Sequence, residues 1–360
     1  MPPAWTCPLP SRQSLLAELR AVALERFGAP LVVRRDAPVP APGPGEALVR
    51  VLAAGVCGTD VKLWRGDLPG TPLPLVPGHE NAGVVEALGN GDGPALGTRV
   101  VVFHHLHCGS CPRCAGGLEN LCERLRGRVG FDHDGGWADY VVVPVRNLLP
   151  IPHGVSALEA CVVPDAVATV WRALLTIGGL TREDDVAVVG AGGLGLTACQ
   201  IAREYGREVL AIDVSGEKLA LAAEAGADRI ALPAQAVEAA EGLAGGKPRL
   251  VVDCAGTMEA AALAPSLLPP GGTLVQVGYS VETRVDIPVA DVALRELRIL
   301  GCRASTLGDL SAALDAVGRG VVRPVVGGTR PLEEAQAALD ALVAGEAAGR
   351  QVLIVSEDAV

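Results

Sequence analysis

The sequence predicts an α/β protein with a β-rich first part and a second part built on a doubly wound parallel sheet. Between Ala21 and about Ala54, short β-type runs alternate with turns rich in Pro and Gly, as in an antiparallel, partly barrel-like domain. After Leu158, apolar runs alternate with helical segments, which indicates a parallel sheet with helices on both faces. At 360 residues the chain exceeds the usual size of a single core, so two domains are expected.

Composition and charge exclude several classes of partner. The chain is 49% hydrophobic, contains 3% aromatic residues and has a formal net charge of -11. It therefore lacks the basic surface expected of a protein that binds nucleic acid or anionic lipid, and no apolar run is long enough to span a bilayer. Residues 1–20 lack the basic start and apolar centre of a secretion signal, and we expect a short extension there.

The most informative stretch runs from Val186 to Asp213. It opens with an apolar strand, turns through Gly190, Gly192 and Gly195, continues at helical spacing and closes on a second strand that ends in an acid. Glycine at these three positions permits a tight turn, close approach of backbone amides to a pyrophosphate, and close packing of the helix on the sheet. The pattern predicts a dinucleotide site, and the alternative is a merely tight corner between helix and strand.

The end of the second strand indicates which dinucleotide binds. The carboxylate of Asp213 can accept hydrogen bonds from both ribose hydroxyls of NAD and would repel the additional phosphate of NADP, and no Arg follows it in VSGEK. NAD is therefore the expected cofactor. Gly193 and Leu194 belong to the same glycine-rich turn, while Ala255 and Val277 follow later strands, so we expect all four to line the cofactor crevice.

Four clustered cysteines predict a structural zinc site. Cys108, Cys111, Cys114 and Cys122 are separated by two, two and seven residues in a loop of small and polar residues, and four thiolates can complete a tetrahedron around Zn²⁺. Disulfides are the alternative, but three cysteines so close in sequence cannot readily pair with the proper geometry. The clustering also indicates a reducing compartment, and we expect the protein to be cytoplasmic.

Two other segments contain residue types that bind metals. Cys57 lies with a hydroxyl and a carboxylate in GVCGTD, where a strand gives way to a turn, and His79 and Glu80 follow in PGHE. Each is weak alone, because a single Cys is more often a small buried hydrophobe and a single His is more often a satisfied core or surface residue.

Together these segments resemble the zinc-containing medium-chain dehydrogenase/reductase (alcohol dehydrogenase) family from about Ala21 to Val355. The matching segments are GVCGTD, PGHENAGVVEALG, CGSCPRC, GGWADYVVVP, GAGGLG and AGRQVLIV. The resemblance implies a GroES-like β-rich catalytic domain over residues 21–166, with a structural zinc lobe at 104–124. It also implies an NAD-binding Rossmann domain with a doubly wound parallel sheet over 167–302, and a return to the catalytic domain over 303–360.

The resemblance implies a catalytic zinc ion, which is the second zinc per chain. Cys57 and His79 correspond to its first two ligands, and Asp165, four residues before Thr169, stands in the place of the third. A carboxylate is a sound zinc ligand, and the alternative is an Asp that caps or ends the helix. Glu80 corresponds to an adjacent acid that approaches the metal when water exchanges.

Other side chains acquire expected roles from the same resemblance. Asp60 should hold the distal nitrogen of His79. Thr59 matches a Ser or Thr that takes the alcohol proton, and the alternative is a strand-end Thr bonded to local backbone. Many members continue this proton relay with a His where the present chain has Lys62, so the route of the proton beyond Thr59 stays open.

Further contacts are implied with the cofactor and the substrate. Lys218 and Arg350 match residues that contact the adenosine ribose and the pyrophosphate, with solvated surface charges as the alternative. Thr169 is also expected beside the cofactor. The expected substrate pocket is lined by His104, Trp137 and Trp64.

The implied activity is reversible hydride transfer between NAD and a secondary alcohol, polyol or sugar-like alcohol. An imidazole in a pocket where aromatic hydrocarbons are common favours a polar substrate. Two alternatives are an enone reductase of the same superfamily, whose members generally lack the metal ligands, and an NAD-binding sensor or scaffold without turnover. Family members are usually homodimers or homotetramers, and the short strands around Leu300 and Val321 to Val326 are available for such contacts.

Overall fold

The computed structural model describes residues 19–359, so the extension expected at 1–20 lies outside the described residues except for its last two. The described strands are β1 (Ala21–Ala23), β2 (Val32–Arg34), β3 (Glu46–Val56), β4 (Asn81–Leu88), β5 (Arg99–Val102), β6 (Tyr140–Pro144), β7 (Leu148–Pro150), β8 (Val186–Val189), β9 (Val209–Ile212), β10 (Arg229–Ala231), β11 (Leu250–Asp253), β12 (Thr273–Gln276), β13 (Arg298–Gly301), β14 (Val326–Pro331) and β15 (Arg350–Ile354). The described α-helices are α1 (Gly58–Arg65), α2 (Pro112–Ala115), α3 (Ala157–Cys161), α4 (Ala168–Trp171), α5 (Gly193–Tyr205), α6 (Gly216–Glu224), α7 (Ala236–Glu241), α8 (Met258–Leu263), α9 (Val289–Leu294), α10 (Leu307–Gly318) and α11 (Ala335–Val343).

A mixed, mainly antiparallel sheet organises the first part of the chain. Its order is β14-β15-β3-β4-β5-β7, with β6 also paired to β3, while β1 and β2 form a separate antiparallel ribbon. The long strand β3 is central, because β4 covers one of its edges and β6 and β15 share the other. The last residues of β3 are buried and lead directly to Cys57, so this sheet fixes where α1 begins.

The second sheet is wholly parallel, with the order β10-β9-β8-β11-β12-β13. Strands β8, β9 and β11 are buried along their whole length, as expected where helices cover both faces of a sheet. The chain builds β9 and β10 on one side of β8 and then returns to place β11 on the other. This reversal leaves a crevice at the C-terminal ends of β8 and β11, and it confirms the predicted doubly wound fold class.

The helical segment that links the two sheets is irregular. The residues after Leu158 have a helical pattern, but α3 gives way to a π-helical turn at Val163–Val167, and a second π-helical turn, Arg172–Ile177, follows α4. Pro164 has no N–H group, so the regular hydrogen bonds of α3 cannot continue through it. Asp165 lies in this widened turn.

The last part of the chain packs first on the linking helical segment and then joins the mixed sheet. Helix α10 first packs on the linking helical segment, where Leu310 and Leu314 share one apolar cluster with Val170 and Leu174. The chain then adds β14 and β15 to the mixed sheet. No helix within residues 19–359 is both long enough and apolar enough to cross a lipid bilayer.

A buried ion pair fixes α10 on this linking segment. Arg172 Nη1 lies 2.9 Å from Asp309 Oδ2, and the two side chains are 8% and 6% exposed. The Thr176 hydroxyl donates to Asp309 Oδ1 at 2.6 Å. Burial alone would raise the pKa of Asp309, but hydrogen bonds from Thr176, Thr306 and Arg172 lower it below its usual value.

Replacing Asp309 with Ala is expected to lower the free energy of unfolding by about 3 to 5 kcal/mol, because Arg172 would be left charged, buried and unpaired. The matched control on the same helix is Asp315→Ala. Asp315 pairs with Arg319 at 2.9 Å through side chains that are 67% and 58% exposed, so its loss should cost less than about 1 kcal/mol.

Denaturant unfolding over a pH series checks this prediction. Since the folded-state pKa of Asp309 is lowered, its contribution is present above the ordinary carboxylate pKa and is lost as the pH falls through the folded-state value. The difference between Asp309→Ala and the unmodified protein should therefore shrink in acid. Equal destabilisation by Asp309→Ala and Asp315→Ala near neutral pH would contradict the prediction.

Candidate active site

The glycine-rich turn after β8 opens onto the C-terminal edge of the parallel sheet. Gly190 has φ +93°, and a methyl group there would lie 2.8 Å from the Ala255 side chain. At Gly195 a methyl group would lie 1.8 Å from the carbonyl oxygen of Gly190, so only glycine lets α5 approach β8 this closely. At Gly192 it would meet no atom within 4 Å. The start of α5 therefore presents backbone N–H groups to open space, where an anion can bind.

This turn borders a cavity of about 820 Å³ that lies between the two sheets. Most of the predicted cofactor residues line it. These are Thr169, Gly192, Gly193, Leu194, Gly195, Lys218, Ala255, Val277 and Arg350. The same cavity is lined by Cys57, Thr59, His79 and Asp165. The dinucleotide-type turn and the candidate metal ligands thus share one chamber.

Asp213 lies at the end of β9 and is not among the residues that line the cavity. Its carboxylate accepts the N–H of Ala191 at 2.7 Å and the N–H of Ser215 at 2.9 Å. Asp213 therefore joins the glycine-rich turn to the start of α6. Each carboxylate oxygen has two lone pairs, so both oxygens keep the capacity to accept a further hydrogen bond.

A cluster of metal-ligand types forms where β3, β4 and the widened helical turn meet. Cys57, His79, Glu80 and Asp165 each bring one ligand atom within 4.8 Å of the others. Cys57 Sγ lies 3.4 Å from His79 Nε2, and His79 Nε2 lies 4.0 Å from Asp165 Oδ2. In a tetrahedral zinc site a sulfur and a nitrogen ligand lie about 3.5 Å apart. The donor set and its spacing therefore fit a zinc ion.

Local hydrogen bonds hold this cluster in place. Cys57 is the N-cap of α1, where its Sγ accepts the N–H of Thr59 at 3.3 Å and its own N–H donates to Asp60 Oδ2 at 2.9 Å. The other oxygen of Asp60 lies 3.2 Å from His79 Nδ1. Because Nδ1 is engaged by Asp60, His79 directs Nε2 towards Cys57. A methyl group at Gly55 would lie 2.0 Å from Glu80 Oε2, so this carboxylate needs glycine opposite it.

Burial and neighbouring charges shift the pKa values of His79, Asp165 and Glu80 in this cluster. Burial alone would lower the pKa of His79, but the charges of Asp60 and Cys57 raise it well above its usual value. Burial alone would raise the pKa of Asp165, but His79 and Arg350 hold it well below its usual value. Burial raises the pKa of Glu80 well above its usual value. A thiolate, an imidazole and a carboxylate at such short range suit a divalent cation.

Arg350, at the start of β15, connects this cluster to the glycine-rich turn. Its Nη2 lies 3.3 Å from Glu80 Oε1 and 3.1 Å from Asp165 Oδ2. Its buried Nε has no hydrogen-bond partner within residues 19–359, and a methyl group at Gly193 would lie 3.5 Å from it. One guanidinium group thus pairs with two acids of the metal cluster and keeps a donor near the start of α5.

Two side chains near the cluster bear on proton transfer. Thr59 lines the cavity in the first turn of α1. The amino group of Lys62 donates to the carbonyl oxygen of Tyr279 and lies 3.7 Å from the centroid of the Tyr279 ring. Burial lowers the pKa of Lys62.

The hydroxyl group of Thr169 donates to Asp165 Oδ1 at 3.3 Å and so helps to orient this carboxylate.

The four clustered cysteines form a second group of metal ligands. The Sγ atoms of Cys108 and Cys114 are 3.9 Å apart, those of Cys111 and Cys114 are 3.5 Å apart, and those of Cys111 and Cys122 are 3.9 Å apart. Sulfur ligands of a tetrahedral zinc ion lie about 3.8 Å from one another. The N–H of Ser110 lowers the pKa of Cys108 to about 5, which favours a thiolate. This group fits a structural zinc ion.

The predicted substrate pocket needs correction at two positions. His104 lines the cavity, and its pKa is lowered to about 3 by burial. Trp137 and Trp64 do not line it. Trp137 is fully buried, where its Nε1 donates to the carbonyl oxygen of Gly55 at 3.2 Å, and Trp64 Nε1 donates to the carbonyl oxygen of Ala29 at 2.7 Å. The only polar atom of each indole is therefore already satisfied by backbone.

Several cavity residues had no place in the sequence prediction. They are Asn120, Arg128, Phe131, Tyr279 and Arg303. Tyr279 and Arg303 follow the C-terminal ends of β12 and β13, and that position in a parallel sheet is a signal that would have found them. Arg128 carried no comparable signal, since it lies in a loop outside every motif.

Two family models match the chain. Residues 43–153 match the alcohol dehydrogenase GroES-like domain, and residues 193–319 match the zinc-binding dehydrogenase domain. The two models cover the mixed-sheet part and the parallel-sheet part in the expected order. The chain belongs to the zinc-containing medium-chain dehydrogenase/reductase family, and as a member it is an oxidoreductase of the alcohol dehydrogenase type.

Relatives named as alcohol dehydrogenases are similar over nearly the full length of this chain. An alcohol dehydrogenase of Geobacillus stearothermophilus is 36% identical over 94% of this chain and 100% of its own length. An NAD-dependent alcohol dehydrogenase of Sulfurisphaera tokodaii is 33% identical over 93% of this chain and 100% of its own. The cobalt- and zinc-bound thermostable alcohol dehydrogenase from Pyrobaculum aerophilum superposes with a TM-score of 0.85 at 30% identity, covering 94% of this chain and 99% of that one.

Proposed function

We propose that this protein is an NAD-dependent zinc alcohol dehydrogenase that oxidises a secondary alcohol, polyol or sugar-like alcohol reversibly. The observation that carries the proposal is the meeting of Cys57, His79 and Asp165 in the same cavity as the glycine-rich start of α5. Hydride transfer needs an electrophilic centre beside a nicotinamide, and this chamber has a donor set for each.

Zinc and NAD would have different roles in the reaction. A zinc ion held by Cys57, His79 and Asp165 would supply the positive charge that stabilises the alcohol oxygen as its proton leaves, and NAD would accept the hydride. The spacing of the four clustered cysteines supports a second, structural zinc ion.

The residues of the chain orient the metal ligands and carry the proton. Asp60 holds His79 by Nδ1, so that Nε2 faces the metal position. Thr59 offers its hydroxyl oxygen as the first acceptor of the alcohol proton, because it lines the cavity two residues after Cys57. Glu80 has Arg350 as a cationic partner beside the metal position.

The same cavity contains the residues that would contact NAD. The backbone N–H groups at Gly192 to Gly195 face the position of the pyrophosphate, and Arg350 keeps a free donor beside them. Lys218 lines the cavity at the start of α6 near the adenosine ribose. Asp213 supports NAD over NADP, because a carboxylate there accepts ribose hydroxyls and repels a 2′-phosphate.

The test is a metal count combined with turnover on the purified, zinc-loaded protein. We expect two zinc ions per chain, reduction of NAD by secondary alcohols, polyols or sugar alcohols, and much slower reduction of NADP, all read by absorbance of the reduced nicotinamide. Reduction of an enone with no alcohol oxidation would favour the related reductase instead. Cofactor binding without any turnover would favour a sensor or scaffold, and either outcome would overturn the proposal.

A further inference from the structure

More cationic side chains line the cavity than the proposed cofactor site uses. Six Lys and Arg side chains line it, and Asp165 is the carboxylate among the lining residues. The six are Lys62, Arg128, Arg172, Lys218, Arg303 and Arg350. The whole chain has a formal net charge of -11, so the cavity lining is richer in cations than the rest of the protein. A cationic chamber in an acidic protein attracts anions.

Most of these cations already have a role. Lys218 and Arg350 belong to the proposed cofactor site, and Arg172 is held in its buried ion pair with α10. Lys62 donates to a backbone carbonyl in the loop after β12. Two arginines remain to be considered. Arg128 pairs with Asp132 but keeps free donors, and Arg303 forms no ion pair within residues 19–359.

Arg128 lies next to the metal cluster on the wall formed by the first part of the chain. Its guanidinium carbon is 4.8 Å from the centroid of the Phe131 ring, and that ring is 4.6 Å from the ring of His79. Asp132 accepts from its Nε at 2.8 Å and so fixes its direction. A guanidinium group has five N–H donors, and Asp132 engages two of its nitrogens, so donors remain for a ligand.

Arg303 lies in the loop just after β13. Its carbonyl oxygen accepts the side-chain amide of the buried Asn120 at 2.7 Å, and the next residue, Ala304, has φ +46°. A non-glycine residue in this region is strained, so the fold holds the loop in an unfavourable conformation at a point where Arg303 lines the cavity. Within residues 19–359 its guanidinium forms no ion pair. Arg128 and Arg303 line the same cavity, one from the loop that precedes Phe131 and the other from the loop after β13. Burial and the positive charge of Arg128 lower the pKa of Arg303.

We propose that Arg128 and Arg303 together bind an anionic group of the substrate, a carboxylate or a phosphate, while the substrate hydroxyl reaches the metal cluster. The inference rests on the proposed alcohol oxidation and narrows the substrate to a hydroxy acid or a phosphorylated alcohol. Guanidinium groups match the oxygens of both anions in pairs of parallel hydrogen bonds. An anion in contact with both would also balance the charge of Arg303, which has no ion-pair partner within residues 19–359, and a neutral alcohol would not.

The test compares matched substrates that differ in charge. One set is sorbitol, gluconate and sorbitol 6-phosphate, and the other is glycerol, glycerate and glycerol 3-phosphate, each with the zinc-loaded protein and NAD. In at least one set we expect an anionic member to exceed the neutral member in kcat/KM by about tenfold or more. Whether the carboxylate or the phosphate leads identifies the source of the anion. Equal or better turnover of the neutral members in both sets would overturn the inference.

Variants of the two arginines provide a second test of the proposed anion site. Arg303→Gln and Arg128→Gln should each raise KM for the preferred anionic substrate by about 10- to 100-fold with little change for the neutral one, since a charge-assisted pair of hydrogen bonds is lost. The matched control is Arg126→Gln, which removes the same charge from an exposed residue of the same segment that does not line the cavity. A rise of KM that is equal for charged and neutral substrates would contradict the assignment.

Failure of this inference can be told apart from failure of the proposed function. Titration calorimetry of gluconate and sorbitol 6-phosphate into the NAD-loaded protein measures binding without turnover. If 2-propanol or cyclohexanol is oxidised but neither anion is bound or oxidised, the alcohol dehydrogenase stands and the anion site is wrong. If no alcohol is oxidised while an anion binds in a manner that depends on Arg303, the site stands and the proposed reaction is wrong.

Discussion

Replacing Cys57 with Ala is expected to abolish alcohol oxidation, with a loss of kcat/KM of about 10³-fold or more. Removing the thiolate leaves His79 and Asp165 as the remaining pair of the proposed ligand set, and the stabilisation of a developing oxyanion by a metal, several kcal/mol, is lost with it. Zinc should fall from two ions per chain to one. The affinity for NAD should stay within about threefold, because Cys57 lies outside the glycine-rich turn that approaches the dinucleotide.

Metal analysis, initial rates and fluorescence titration of NADH check these three expectations together. The control is Cys199→Ala, which removes a buried thiol of α5 that lies outside both clusters of metal ligands. Burial raises the pKa of Cys199 to about 12, so this side chain is a neutral thiol and its loss should leave both zinc ions and turnover in place. A Cys57→Ala protein that keeps two zinc ions and full activity would refute the assigned catalytic centre.

Replacing Cys111 with Ser is expected to empty the other metal site and to destabilise the lobe around it. Structural zinc contributes about 10 to 16 kcal/mol in small isolated domains, and even a fraction of this, about 3 kcal/mol, should lower the thermal midpoint by about 10 °C. Ser110→Ala is the control, since the backbone N–H of Ser110, and not its hydroxyl, makes the close contact with Cys108. An unchanged midpoint together with one zinc ion per chain would show that the lobe does not depend on its metal.

The Cys111→Ser protein should also show a defect at a distance. Asn120 lies inside the cysteine lobe and donates to the carbonyl oxygen of Arg303, and the nearby Glu119 carboxylate accepts the N–H of Leu307 at 3.3 Å. The lobe therefore supports the loop that carries Arg303. We expect KM for the alcohol to rise more than KM for NAD, a difference that steady-state kinetics on the folded variant can measure.

Much of the fold could be predicted because its signals are local. The run from Val186 to Asp213 encodes strand, turn and helix in one continuous stretch, and the observed β8, α5 and β9 follow it closely. The sequence pattern also predicts a helix from Leu307 to Gly318, and α10 has these bounds. The sequence does not show which elements α10 packs against, because its packing on the linking segment depends on contacts between distant parts of the chain.

The residues of the candidate site could be predicted where their types and their spacing in the sequence are typical of a known metal or cofactor site. Cys57, His79 and Asp165 are far apart in sequence, and the resemblance to known dehydrogenases was needed to join them. The widened turn that carries Asp165 was missed, because a π-helical turn has the same apolar composition as the α-helix around it. Trp137 was misplaced because an aromatic residue in a pocket and one in a core have the same sequence signal.

The arrangement of β3 also bears on how the chain is made. On one edge, the first half of β3 pairs with β6, but its end, where the backbone leads to Cys57, pairs with β15. During synthesis on a ribosome this edge would stay open until residue 354 had emerged, long after the rest of the first sheet. While the chain is being synthesised, the end of β3 would therefore have an unpaired edge, and unpaired strand edges favour association with other chains.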